Sequence, residues 1–343
     1  MGHSVHPTNI RCITATWVVA VLVLASSPAE PQVASPLQSG HYLPGTTNIR
    51  DMATPPPGFF VAWYNLYPWT DTYVDRNGNE LTNLNQVNPA LPDVPVNVDG
   101  QAFATIPALM WASPFKFLGG ARYMAFVVPN FIVADYTAVL EPGGPILDSA
   151  IVVDGSVSGF SDLYVAPVGL SWGSDVVDFT VMYGFYAPTG RYATGADDNI
   201  GLGFWTHQFQ AFGYVYPLPQ KATAITVGGT FELNSTIEDR DVKPGSRFSL
   251  DWGVSQYLSS RFELGVQGGN NWQIGDDSGD DVFWDPSFHD RKSSIGFSAG
   301  FWPWESRLYM AAKYTLEFGI RQHFKNNNLM LNFIFITNAL AGS

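Results

Sequence analysis

The chain has 343 residues, of which 14% are charged and 15% aromatic, and its formal net charge is −13. A soluble α/β enzyme carries nearer a quarter charged residues, and so negative a chain repels nucleic-acid phosphates. The single cysteine, Cys12, falls in the N-terminal stretch read below as a signal, so disulfides, thiol catalysis and cysteine metal sites are excluded from the rest.

From the N-terminus, residues 1–29 are expected to be a secretory signal. Arg11 supplies the positive region, Ile13 to Ala25 a short apolar run, and Ser27-Pro28-Ala29 small residues for cleavage. The run is too short for a spanning anchor, and no later stretch reaches the about twenty apolar residues that a transmembrane helix needs. Residues 30–57 end in Pro55-Pro56-Pro57 and show no alternation. They read either as a periplasmic lead or as a plug folded into a lumen.

From residue 58 onward the dominant feature is a period of two. In Phe248-Ser249-Leu250-Asp251-Trp252-Gly253-Val254 every second residue is apolar and the others are polar or Gly. A strand built this way has one apolar and one polar face. About twelve such segments occur, roughly at 58–67, 101–112, 116–130, 159–172, 176–187, 203–216, 222–235, 246–258, 260–273, 292–302, 306–318 and 328–336. Short turns near Ser113-Pro114, Gly173-Ser174-Asp175, Pro217-Leu218-Pro219, Ser259-Ser260 and Pro303-Trp304 alternate with long polar segments at 68–100, 131–158, 188–202, 236–245, 274–291 and 319–327. The expected fold is therefore all-β: a transmembrane antiparallel up-and-down β-barrel over residues 58–336, with short periplasmic turns, long extracellular loops and a C-terminal tail at 337–343. A two-layer sandwich does not predict that alternation of connections.

Faces follow from cost. A Lys or Arg on the lipid face at mid-membrane costs about 2–4 kcal/mol, so the strand charges are assigned to the lumen. The lumen candidates are Arg122, Asp178, Glu232, Arg247, Asp251, Arg261, Glu263, Arg307, Lys313 and Glu317. There they either set ion preference and meet polar solute groups, or pair with one another across the wall. Trp172, Trp205, Tyr216, Trp302 and Trp304 fall near strand ends, where amphipathic rings favour the membrane interface.

Several stretches resemble the outer-membrane transporter family associated with the meta pathway of phenol degradation. They are His41-Tyr42-Leu43-Pro44-Gly45, Pro55-Pro56-Pro57-Gly58-Phe59-Phe60, Gly159 to Pro167 (GFSDLYVAP), Tyr183 to Tyr192 (YGFYAPTGRY) and Gly203 to Gln208 (GFWTHQ). The likeness spans roughly residues 40–336. It implies an outer-membrane barrel that admits hydrophobic substrates. The chain departs in its ending: barrels of this kind commonly finish on an aromatic residue, whereas Phe335 and Ile336 are followed by Thr337 to Ser343.

Other motifs carry less chemistry. Arg191 and Tyr192 enter a long loop and are constriction candidates if that loop folds inward; Pro188 and Gly190 beside them are ordinary turn residues. The acidic run Gly275 to Asp281 lacks the spacing of a calcium loop and reads as a solvated loop, so no metal site is expected. His207 has no Ser/His/Asp motif around it, and neither G-x-S-x-G nor H-E-x-x-H occurs. Neither an enzyme nor a cofactor is expected. Pro129 and Pro167, which lack a donor N–H inside strands, mark places where pairing breaks or bulges. The expected function is passive uptake of small hydrophobic or aromatic compounds through a polar lumen, in the outer membrane of a Gram-negative bacterium after export. The expected partners are outer-membrane lipids, lipopolysaccharide and the solutes. The alternative is a structural or surface-interaction barrel without an open pore.

Overall fold

Alternation converts into strands that pair in sequence order. The structure, a computed structural model, describes residues 40–86, 93–141, 150–196, 198–305 and 307–337; the expected signal, residues 30–39 and the tail beyond Thr337 lie outside them. In chain order the strands are β1 (Gly58–Thr70), β2 (Tyr73–Val74), β3 (Val96–Phe117), β4 (Ala121–Val128), β5 (Phe131–Leu140) and β6 (Ile151–Phe160). They continue with β7 (Leu163–Gly173), β8 (Val177–Ala187), β9 (Thr206–Val215), β10 (Thr223–Asn234) and β11 (Arg247–Tyr257). The last are β12 (Phe262–Gln273), β13 (Arg291–Trp304), β14 (Leu308–Arg321), β15 (His323–Phe324) and β16 (Asn327–Thr337). Each long strand pairs antiparallel with its neighbours, and β1 pairs with both β3 and β16, closing a barrel of twelve strands. Closure gives the spanning backbone partners on both sides, which a lipid environment requires.

The expected twelve strands are all present, with three differences in how they connect. The segment 131–158, expected to be a loop, is mostly the hairpin β5–β6. It pairs with the first half of β3, from Val96↔Leu140 to Thr105↔Phe131, while the second half of β3 pairs with β4. β4 and β5 are thus one line interrupted at Pro129-Asn130, and β6 and β7 another interrupted at Ser161-Asp162. Asp135, Thr137, Asp154, Ser156 and Ser158 give this hairpin a polar outer face, which is why it read as loop. The turn expected at Ser113-Pro114 lies instead at Leu118-Gly119-Gly120, all three with positive φ; β3 passes Pro114 through a register shift. The third is 319–327, also expected to be a long loop: β14 runs to Arg321, and β15 pairs with β2 to tie two connections together.

Within the strands the two faces follow the alternation, apolar outward and polar inward. Val227 and Phe297 are exposed on the outside, whereas Glu232, Ser249, Lys313 and Thr315 are buried inside. Pro167 sits in β7 at a register shift against β8, so it is accommodated at a bulge. Trp205 and Trp304 are exposed at strand ends as an interface belt requires, but Tyr216 and Trp302 turn inward and take partners there: the Tyr216 hydroxyl donates to Asp178 at 2.9 Å and Trp302 Nε1 to the Tyr257 hydroxyl at 3.0 Å.

The outer face yields a direct test. Val227→Arg places a charge mid-strand on the lipid side and is expected to lower stability by about 2–4 kcal/mol in urea unfolding of the vesicle-inserted barrel. A loss below about 1 kcal/mol would show that this face does not meet hydrocarbon.

Candidate functional site

A buried polar wall needs partners, and the residues ahead of β1 supply them. Residues 40–57 make no strand pairing, so their backbone N–H and C=O groups are free to bond elsewhere. They run inside the barrel from its loop end to its turn end. At the loop end His41 Nε2 bonds Asp162 at 2.9 Å and Nδ1 bonds the Thr206 hydroxyl at 2.7 Å, with the ring stacked on Tyr186. Next, the Tyr42 N–H donates to Glu232 at 3.1 Å, and Asp251 accepts the Tyr42 hydroxyl at 2.9 Å and the Gly45 N–H at 2.6 Å. Lys313 Nζ then donates to the carbonyls of Gly45, Thr46 and Thr47 at 2.6, 2.7 and 2.9 Å. Further down, Arg50 pairs with Glu263 and donates to the carbonyls of Lys221 and Ala222. At the turn end the Thr54 N–H donates to Asp178 at 3.1 Å and its hydroxyl meets Ser171 at 2.6 Å.

Steric room was made for this path. A Cβ on Gly265 would fall 2.4 Å from the Ile49 side chain, and one on Gly269 2.5 Å from Pro44. Gly269 in β12 is thus a point where the segment approaches the wall closely.

The segment lies mainly against β7 to β14, with Asn48 and Asp51 also accepting from Asn332 of β16 and Tyr64 of β1, each at 2.7 Å, and it leaves the rest of the lumen open. A cavity of about 530 Å³ remains between it and the opposite wall. That wall is apolar on its inner face too. β1 contributes Phe60, Ala62, Tyr64 and Leu66; β3 contributes Ala104, Ile106, Ala108 and Met110; β4 contributes Phe126 and Val128; β16 contributes Ile334 and Ile336. The lining extends from Asn130, Ser161 and Ile200 near the loops to Pro55, Pro56 and Trp302 near the turns. The expectation of a polar passage is therefore corrected. The polar half of the lumen is occupied by the chain itself, and the free space is bounded largely by apolar side chains.

The sequence-predicted residues separate accordingly. Asp178, Glu232, Asp251, Glu263 and Lys313 hold the segment. Asp178 also pairs with Lys221 at 2.8 Å, and Glu263 accepts the Tyr309 hydroxyl at 2.6 Å. Arg247 and Glu317 close the wall instead: Arg247 forms a buried pair with Asp290, and Glu317 accepts from Lys292 at 3.2 Å. Arg122 is buried and donates to the Ser113 carbonyl. Arg261 and Arg307 are not in the lumen. They sit exposed at the short turns, Arg261 on Glu305 at 2.9 Å and Arg307 over the Trp304 ring, because strand ends at the membrane boundary place long cations in water. Arg191 and Tyr192 do not constrict the cavity either. Arg191 is exposed and bonds Asp198 at 2.7 Å, while Tyr192 packs on the loop cluster of Phe204, Ile237, Val242 and Trp284.

The acidic run is not wholly solvated: Asp277 is buried, accepting Gly245 N–H and Trp284 Nε1, each at 2.8 Å. His207 points outward and meets the Tyr183 hydroxyl at 2.8 Å. Among the described residues no three His, Cys, Asp or Glu side chains gather as a metal site would. Asp162, in the break between β6 and β7, is the outer anchor. Burial alone would raise its carboxyl, but bonds from His41 and from the N–H groups of Leu202 and Gly190 outweigh that and hold it below the ordinary carboxylate value.

The sequence matches the family model described as "Putative MetA-pathway of phenol degradation" over residues 61–333. The chain belongs to this family. No curated protein sequence matches it. Among solved structures it is similar to an outer membrane channel from Pseudomonas putida F1, with a TM-score of 0.60 at 14% identity, covering 87% of this chain and 100% of that one. More distant are the translocator domain of the autotransporter NalP from Neisseria meningitidis (TM-score 0.46, 13% identity, 84% and 92% covered) and a Pseudomonas aeruginosa FadL homologue (0.38, 10%, 81% and 90%). The first likeness carries the fold alone: this family member is a twelve-stranded barrel of the outer-membrane type.

Sequence reasoning missed the apolar wall, although its signal was present. Gly58 to Leu66 (GFFVAWYNL) and Ala104 to Met110 (ATIPALM) are apolar at consecutive positions, not at every second one. Such a strand has an apolar inner face.

Lys313 is a wall cation that holds three successive carbonyls of the segment. Lys313→Met removes three charge-assisted donors and is expected to weaken the docking of residues 45–47 by about 3 kcal/mol. Amide hydrogen exchange across residues 42–50 should accelerate roughly 100-fold; unchanged protection would show that the hold lies elsewhere.

Proposed function

We propose that this barrel resides in the outer membrane of a Gram-negative bacterium, reached by signal-directed export, and admits small, neutral, hydrophobic or aromatic compounds by passive diffusion. The observation that carries this reading is the cavity of about 530 Å³ between residues 40–56 and the apolar inner faces of β1, β3, β4 and β16. Its size lies within the range of pockets that hold small organic molecules. The family's association with phenol degradation is consistent with aromatic solutes.

Three features support a narrow route. The polar wall is spanned by the chain segment, so water and ions lose the surface that would solvate them. Small side chains at Ala62, Ala104 and Ala108 leave room on the apolar side. Met52, Met110 and Met182 border the cavity and are backed by Met124, so the boundary is built from unbranched, adaptable side chains that can yield to a passing solute.

The test measures permeation in vesicles whose outer leaflet is lipopolysaccharide, the layer that slows apolar solutes. Naphthalene entry, read by quenching of an entrapped fluorophore, is expected to rise at least about tenfold over protein-free vesicles, with little ionic conductance from the same protein. Ala62→Trp, which fills the cavity from the wall opposite the anchored segment, is expected to abolish most of that gain. Entry no faster than in protein-free vesicles would sink the uptake reading and leave a structural barrel; a large conductance insensitive to Ala62→Trp would point to a water-filled route.

A further inference from the structure

Every ionised group at the cavity surface already has a partner. Arg50 is bonded to Glu263, Asp51 accepts the Tyr64 hydroxyl and the Asn48 N–H, each at 2.7 Å, and Asp162 is bonded to His41. A charged solute entering here would leave water and have to compete with these bonds for every charge it meets, so the site disfavours ions. The other lining tyrosine hydroxyls are committed in the same way. Tyr42 donates to Asp251, Tyr64 to Asp51, Tyr309 to Glu263, and Tyr164 to Gln210 at 3.0 Å, while the Tyr257 hydroxyl accepts Trp302 Nε1.

Tyr186 is different. It comes from the loop end of β8 and lines the cavity, and among the described residues its hydroxyl makes no hydrogen bond. Its ring is held on two sides, stacked on His41 with centroids 4.5 Å apart and tilted against Tyr164 at 4.8 Å. The plane of the ring, and so the direction of the hydroxyl, is set before any solute arrives. A preset, unpaired hydroxyl in a mostly apolar cavity is the arrangement by which a binding site orients a ligand and distinguishes ligands that can answer it.

We propose that Tyr186 is the polar recognition point of the cavity, and that the preferred solute is a neutral, ring-sized apolar molecule carrying one hydroxyl or carbonyl group that hydrogen-bonds to the Tyr186 oxygen. This deepens the uptake reading and rests on it. A hydroxyl can donate or accept, so the site takes either an alcohol or a carbonyl, and it favours both over the matching hydrocarbon. Its place at the loop end of β8 puts it toward the outer end of the cavity.

The test compares two nearly isosteric probes, benzyl alcohol and ethylbenzene, by calorimetric titration of the full barrel in detergent micelles against protein-free micelles. The ratio of their two affinities, corrected for partitioning into the micelles, is expected to favour benzyl alcohol in the natural protein and to fall roughly 3- to 10-fold in Tyr186→Phe, which keeps the ring and removes only the oxygen. Tyr67→Phe, which removes an outward hydroxyl bonded to Gln101, should leave the ratio as it was. Because the ratio is taken within each variant, it does not depend on the fraction correctly folded. If both probes bind and Tyr186→Phe leaves their ratio unchanged, the assignment of Tyr186 is overturned while the cavity reading survives. If neither probe binds the natural protein, the cavity reading itself fails and Tyr186 falls with it.

Discussion

Polar groups cut off from water must be paired, and that constraint shapes this molecule twice. It first acts on the backbone. Strands that cross hydrocarbon cannot leave N–H and C=O groups open, so the sheet closes through β1, which bonds β16 on one side and β3 on the other. It then acts on the side chains. Closure places Asp178, Glu232, Asp251, Glu263 and Lys313 inside, with charges that neither lipid nor a dry interior tolerates. Part of the answer is wall-to-wall pairing, as at Arg247 and Asp290. The remainder is a stretch of chain without secondary structure. Such a stretch is a natural partner for a polar wall, because every residue other than proline brings one unused donor and one unused acceptor. Lys313, which gathers three successive carbonyls, shows how one cation can order several residues at once.

The same logic explains why the lumen has two unlike halves. Where the wall is polar the segment binds, and the mostly apolar side reaches it chiefly through the Tyr64 hydroxyl and the Asn332 amide. The division follows strand order, since β7 to β14 supply the anchors while β1, β3, β4 and the turn-side end of β16 supply Phe60, Met110, Phe126, Ile334 and Ile336. Glycines refine the fit. Gly253, Gly265 and Gly269 lie where Ile49 or Pro44 press against the wall, and a side chain at any of them would meet the segment. The segment and its wall are thus shaped to each other, and the cavity is what that fit leaves over.

How much of this was legible in the sequence depends on whether the signal was local. Period-two alternation in residues 246–258 and 306–318 was enough to place strands and to assign Arg247 and Lys313 inward, because lipid punishes the opposite choice heavily. Charges beyond the last strand residues, Arg261 and Arg307, escape that rule because water is within their reach. The turn at Leu118-Gly119-Gly120 was misplaced by trust in Pro114, although two adjacent glycines better match a run of positive φ. The hairpin β5–β6 was hidden because its outer face is polar and lies beyond the lipid-facing part of β3. The fit between residues 40–57 and the wall was out of reach: His41 to Asp162, Arg50 to Glu263 and Lys313 to Gly45 join positions more than a hundred residues apart. No periodicity encodes such contacts.

A narrow barrel that sorts solutes by solvation, as proposed above, would need no moving gate. On that proposal an ion entering the cavity would give up hydration and meet carboxylates already bonded to Arg50, Tyr64 and His41, so the interior would offer it little in exchange. An apolar molecule loses nothing on entry and gains contact with Phe60, Ile106 and Met182, whose inner faces would otherwise border empty space or poorly bonded water. On the same proposal, the anchored segment is what would make this sorting possible. Without it, the lumen would expose the charges of β10 to β14; with it, those charges are bonded to the chain, and a largely apolar surface is left to meet a solute.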